Sequence, residues 1–153
     1  MSMEQLLDEV REFDGVLELA PVEGDDVPEI AWGDHFFYYS PSGVVPRGEQ
    51  PYATVITKNY PGDEDCDLDP PDRWRLNVRV GRELVTELTG EDPRSGPAPR
   101  DLTRTDVVFG HPTYRALGWV SITNPGPATH DLALHLLRQA HQNATHRAQR
   151  PHR

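Results

Sequence analysis

Cysteine, lysine and long apolar runs are what this 153-residue chain has least of. Cys66 is the single cysteine, which excludes an intramolecular disulfide and makes a reducing cytoplasm the expected location. The acidic neighbours Asp65 and Asp67 push a thiol pKa upward, the wrong direction for a nucleophile. No apolar run approaches the ~18 residues that span a bilayer, so no membrane partner is expected. The opening Met1-Ser2-Met3-Glu4-Gln5 has neither the basic nor the apolar region of a signal peptide.

Positive charge is also scarce. Fifteen basic residues face 25 acidic ones, for a net charge of −10, and Lys58 is the sole lysine. A broad phosphate-backbone binder needs Lys and Arg to displace counterions, so nucleic acid is an unlikely partner on charge alone. The shortage is uneven. Residues 1–72 hold 18 of the acidic and 3 of the basic residues, whereas residues 73–153 hold 7 and 12, leaving room for a local basic face on the second half.

Familiar catalytic and metal signatures are missing. There is no Gly-rich phosphate loop after a strand, no nucleophile elbow and no paired CxxC. Asp63-x-Asp65-x-Asp67 imitates the start of a calcium loop, but Leu68 stands where the glycine is needed and Trp74 where the closing carboxylate belongs. His130, His135, His141 and His146 include pairs five apart, about 140° around a helix, so adjacent pairs cannot share a metal and exposed helix polarity explains them better. No metal and no cofactor is expected.

What is present is mostly strand pattern. Arg73 to Val80 alternates, sending Trp74, Leu76, Val78 and Val80 one way and Arg73, Arg75, Asn77 and Arg79 the other. Gly118 to Asn124 repeats the pattern, with Val120 and Ile122 on the core side and Trp119, Ser121 and Thr123 opposite. Val16–Leu19, the aromatic stretch Glu29 to Tyr39, Tyr52 to Lys58 and Asp106 to Phe109 are further strand candidates.

Helices are expected at both ends and in the middle. Ser2 with Gln5 forms a capping box ahead of Leu6, Leu7, Val10 and Phe13, and Asp14-Gly15 ends that helix. Gly81 to Thr89 is a short helix closed by Gly90, and a last helix begins near Thr129 or Asp131. Tyr60 to Asp72 reads as a solvated acidic loop, and Glu91 to Arg104, rich in Pro and charge, as a mobile connection. These signals predict one α+β domain over residues 1–148, with a disordered tail at 149–153. Its single antiparallel sheet of four to six strands would carry the N- and C-terminal helices on one face.

The strings Ile30-Ala31-Trp32-Gly33-Asp34-His35-Phe36-Phe37-Tyr38-Tyr39 and Arg73-Trp74-Arg75-Leu76-Asn77-Val78 resemble an uncharacterised family of high-GC bacteria, labelled only as a domain of unknown function. Val80-Gly81-Arg82 and His111-Pro112-Thr113-Tyr114 with Gly118-Trp119-Val120 extend that likeness over nearly the whole chain. A looser resemblance joins the chain to the MmcQ/YjbR-like proteins, whose fold is compared with CyaY-like domains. It rests on Gly15-Val16 after the first helix, Trp32-Gly33 ahead of Phe36 and Phe37, the Ala53 to Lys58 strand, and Trp119-Val120 before the last helix. That group is often described as DNA-binding, but Leu117-Gly118 stands where its members carry basic residues. The resemblances imply a fold and transfer no activity.

The expected function is a binding module for a small anionic molecule or an acidic protein segment, seated on the polar sheet face. Arg75, Asn77, Arg79 and Trp119 would make the contacts, since a guanidinium fork grips carboxylate or phosphate and an indole adds a stacking surface. His35, His111, Tyr114 and Lys58 would stand at its margins. The rival is a small enzyme with His111 or His35 as general base and Arg75 holding the anion. Weak DNA binding, implied by the looser resemblance, is a third reading.

Overall fold

A computed structural model describes residues 1–92, 94 and 101–150. Six strands form one antiparallel sheet: β1 (Val16–Leu19), β2 (His35–Tyr39), β3 (Ala53–Ile56), β4 (Arg75–Arg79), β5 (Val108–Gly110) and β6 (Trp119–Thr123). Their order across the sheet is β1-β2-β3-β4-β6-β5. The first four are nearest neighbours in sequence; the last two are exchanged at the far edge, where α2 (Arg82–Thr89) intervenes between β4 and β5.

Alternation sorts the side chains as the sequence implies. Phe37, Ala53, Val55, Leu76, Val78, Val120 and Ile122 are buried on one face. They meet Leu6, Leu7 and Val10 of α1 (Met3–Arg11), Val85 of α2 and Leu134, Leu136 and Leu137 of α3 (His130–Gln149) in a single apolar core. The Ser2–Gln5 capping box starts α1, and Gly90, in a left-handed conformation at φ 73°, closes α2. The helix α3 runs through Gln149 with Arg150 as its C-cap, so the expected tail is helical at its start, and residues 151–153 lie outside the described ones. Of the connection expected over 91–104, residues 93 and 95–100 also lie outside them. Among the described residues no helix is long and apolar enough to cross a membrane.

The second face departs from expectation. The acidic Tyr60–Asp72 loop is not simply solvated; Cys66 and Leu68 are wholly buried and pack with Ile56 and Phe109 as a second small core. The physical reason is Arg75, on the same face as Ile56. A guanidinium there needs a counter-charge, and the loop delivers Asp63.

Candidate functional site

Register places Arg75 opposite Thr123, Asn77 opposite Ser121 and Arg79 opposite Trp119, so the four sequence candidates do share a face. They do not share an environment. Arg75 has no exposed surface: its Nη1 and Nη2 donate to the two carboxylate oxygens of Asp63 at 3.0 and 2.5 Å, and its Nε to Asn77 Oδ1 at 2.9 Å. Asn77 Oδ1 also accepts from Ser121 Oγ at 2.7 Å, while its amide donates to Thr54 Oγ1 at 3.0 Å. Burial opposes the ionised Asp63, but the bonds from Arg75 win and hold its carboxyl below the usual range. This half of the face is a closed polar network under the loop.

His111 packs against the same network. It is 4% exposed, and its Nδ1 accepts from the backbone amides of Thr113 and Tyr114, both at 3.0 Å. That occupies the Nδ1 lone pair, so a neutral ring carries its proton on Nε2, and the 3.3 Å approach of Nε2 to Arg75 Nη2 is a contact between two donors, with no hydrogen bond. Burial and the Arg75 charge press the ring pKa down to about 3. The imidazole is a capping group for the following turn. Cys66, 3.3 Å from Arg75 Nη1, has its thiol pKa raised by burial despite that charge.

The remaining candidates are scattered. His35 Nδ1 lies 2.7 Å from Glu18 on the helix-covered face, beside the bidentate Arg11–Glu18 pair at 2.8 and 3.1 Å. Burial works against the Glu18 charge, yet the bonds from Arg11 and His35 hold its carboxyl low. Lys58 donates to Trp32 O at 2.8 Å and to the fully buried Asp34 at 2.9 Å. Tyr114 is exposed, its ring 4.9 Å from that of His111. Only Arg79 and Trp119 remain reachable on the polar face: Arg79 is exposed and Trp119 half-buried.

An open concavity exists at a different place, where β2 ends, β3 begins and α3 finishes. A cavity of about 270 Å³ is lined by Tyr38, Tyr39, Arg47, Tyr52, Ala144 and Arg147, among others. Tyr39 and Tyr52 also belong to an aromatic cluster around His141, whose ring centroid lies 5.6 Å from Tyr39, 5.5 Å from Tyr52 and 5.1 Å from Phe13. Tyr52 Oη donates to His141 Nδ1 at 3.0 Å and His141 Nε2 donates to Asp14 O at 2.8 Å, which fixes the tautomer and the ring. Gly15 makes the close packing possible. Its φ is +75°, and a Cβ there would lie 2.6 Å from Tyr39 Cε1.

Arg147 is the unusual member. Its Nε is enclosed and has no hydrogen-bond partner. Burial lowers its pKa, the charges of Arg79 and Arg150 lower it further, and Glu49 is the carboxylate that opposes them. A half-buried cation pressed by like charges is an arrangement that proteins rarely leave uncompensated.

The model of DUF6194, a family of unknown function, matches residues 1–153. The chain belongs to that family. No curated protein and no solved structure matches it. In this DUF6194 chain the strand alternation puts Arg79 on the polar sheet face with Arg75, and gives no sign of Arg147, Tyr38 and Tyr52 as walls of the concavity. One signal was available: His141 stands four residues after Leu137 on the buried side of α3, a position that exposed polarity does not explain. Arg147 carried no such signal, since an arginine in a last helical turn is ordinary. Among the described residues no group of three His, Cys, Asp or Glu side chains is placed to hold a metal ion.

Proposed function

We propose that this chain is a binding module for a small anionic molecule, held in the cavity at the C-terminal end of α3 with Arg147 as the anchoring cation. The reading keeps the ligand class suggested by the arginine-rich second half and moves its seat, because Arg75 is already neutralised by Asp63. Arg79, exposed on the neighbouring strand, adds to the positive field at the cavity, as do Arg47 on its rim and Arg150. The sole, buried cysteine fits a reducing cytoplasm as the place of action.

One observation carries this reading: Arg147, half-buried in the cavity wall, feels the charges of Arg79 and Arg150 against a single carboxylate, Glu49. An anion entering the cavity would offset the repulsion among Arg147, Arg79 and Arg150. The concave form suits a small molecule better than a peptide segment, which needs a longer groove or sheet edge.

Thermal unfolding tests it. Benzoate or inorganic phosphate, compared with sodium chloride of equal ionic strength, is expected to raise the melting temperature of the wild type and not of Arg147→Gln. A ligand at ~100 times its Kd adds about 2.7 kcal/mol. Equal stabilisation of both proteins, or of neither, would sink the proposal.

A further inference from the structure

We propose that the uncovered half of the sheet is a contact surface for a second copy of this chain, packed face to face with its strands reversed. The proposal goes beyond the anion-binding reading and does not depend on it. The three helices occupy one face, and the acidic loop after β3 closes part of the other over Arg75. What remains of that second face is the half formed by β1, β2 and β3. Register sets Leu17 beside Tyr38, Leu19 beside Phe36, and Phe36 beside Thr54. Trp119, beside Arg79, continues the row toward β6.

The composition of this half is wrong for a surface left to water. A solvated sheet face carries polar side chains at alternate positions. Here Leu17, Leu19, Phe36, Tyr38 and Trp119 are each half-buried and belong to neither apolar core. Apolar side chains grouped in this way mark a contact surface. Its size then limits what the contact can be. At ordinary strand spacing and rise, the part from β1 to β4 measures roughly 19 by 17 Å, or about 300 Å². A stable interface covers about 800 Å² on each partner, so the loops at the ends of the sheet must touch as well.

Charge at those ends selects the arrangement. Two copies of one face meet about a twofold axis lying in the interface. An axis along the strands stacks like ends; an axis across them stacks opposite ends. The loops 20–34 and 57–74 leave the sheet at the same end, tied together where Asp34 accepts from Thr57 and Lys58. They carry four and five exposed carboxylates, and no exposed cation. At the other end the exposed charge of the face itself is Arg79, with Arg47 and Glu49 in the loop between β2 and β3. Stacking like ends would oppose nine carboxylates to nine. Reversal instead offers each Arg79 to the acidic loops of the other copy. The net charge of −10 works against any self-association, which makes reversal a requirement and holds the affinity to the micromolar range.

Sedimentation equilibrium of the full chain tests the proposal. The wild type is expected to show a monomer–dimer equilibrium with a dissociation constant on the order of micromolar. Phe36→Asp puts a charge in the middle of the face and should weaken the dimer at least tenfold; Arg79→Glu should weaken it about tenfold. Arg138→Glu makes the same change in net charge on the outer side of α3, and should leave the equilibrium unchanged. A wild type that stays monomeric at millimolar concentration overturns the proposal. So does a dimer that survives both Phe36→Asp and Arg79→Glu, since its contact would lie on a strand edge or on the helices. Equal weakening by Arg79→Glu and Arg138→Glu would show general repulsion in place of the reversed pairing, and overturn it too. The wild type and the exposed Arg79→Glu keep the test decisive whether or not Phe36→Asp folds.

Discussion

At the scale of single residues, two charged groups with opposite fates explain most of what this chain does with its polarity. Arg75 is a buried cation with its partner supplied; Arg147 is a half-buried cation without one. Removing each should therefore have opposite effects. Arg75→Leu leaves Asp63 without its partner and the Asn77 amide network broken, and breaking such a buried pair costs about 3–5 kcal/mol. Arg147→Gln removes a charge that its neighbours repel, so the ligand-free protein should be unchanged or up to about 1 kcal/mol more stable. Urea titrations with a shifted midpoint and constant slope would register both. A large destabilisation by Arg147→Gln would mark that arginine as a structural group. Asp34 is a third instance: fully buried, it accepts from Thr57 N at 2.8 Å, Thr57 Oγ1 at 2.7 Å, Lys58 Nζ and the Tyr60 hydroxyl.

At the scale of elements, chain ends are tied by groups distant in sequence. The helix α3 begins with Thr129, whose own side chain caps nothing in the helix. Asp106 instead anchors the turn that leads into the helix, accepting from the amides of Gly126, Ala128 and Thr129 at 2.8–2.9 Å and from Thr129 Oγ1 at 2.6 Å. Although desolvation opposes it, these bonds hold the Asp106 carboxyl down at about 2. Asp106→Ala leaves those amides without their acceptor, so it should cost about 1–3 kcal/mol and loosen the entry to α3 in hydrogen exchange. Unchanged protection there would argue against this role. Gly15 shows the same economy at the other end of the fold. Gly15→Ala must strain a φ of +75° and displace Tyr39, so it should lose at least 1 kcal/mol and weaken benzoate binding together, read by denaturation and by calorimetry.

At the scale of the whole molecule, the closed network beneath the acidic loop makes stability depend on acid. The His111 pKa falls from an unfolded value near 6.5 to about 3 because burial disfavours the charged ring. Between those values the unfolded chain binds the proton that the folded one refuses, so stability declines as pH drops from about 6.5 toward 3. Asp63 adds to the decline from its ordinary range near 4 downward, since its folded pKa is depressed by Arg75 and its contribution is lost as it protonates. Acid unfolding followed by tryptophan fluorescence should thus begin below pH ~6.5 and steepen below ~4. His111→Asn, which can keep an acceptor near the Nδ1 position, should flatten the slope above pH ~4 and leave the steeper limb. An unaltered profile would show that His111 titrates normally.

Much of the architecture was legible without coordinates because it is local. Alternation in Arg73–Val80 and Gly118–Asn124 assigns each side chain to a face whatever the fold does, and the capping box at Ser2 and the Gly90 stop need only their neighbours. Six short strands between helices then leave few arrangements other than an antiparallel α+β sheet. The tertiary structure alone decided which charges are compensated. Asp63 and Arg75 are 12 residues apart and Asp106 and Thr129 are 23, and no periodicity links them. It likewise put the C-terminal turn of α3 beside Tyr38 and Tyr52, and so left the Arg147 Nε enclosed without an acceptor. Pairing of that kind is a matter of distances in space, and a pattern read along the chain does not contain it.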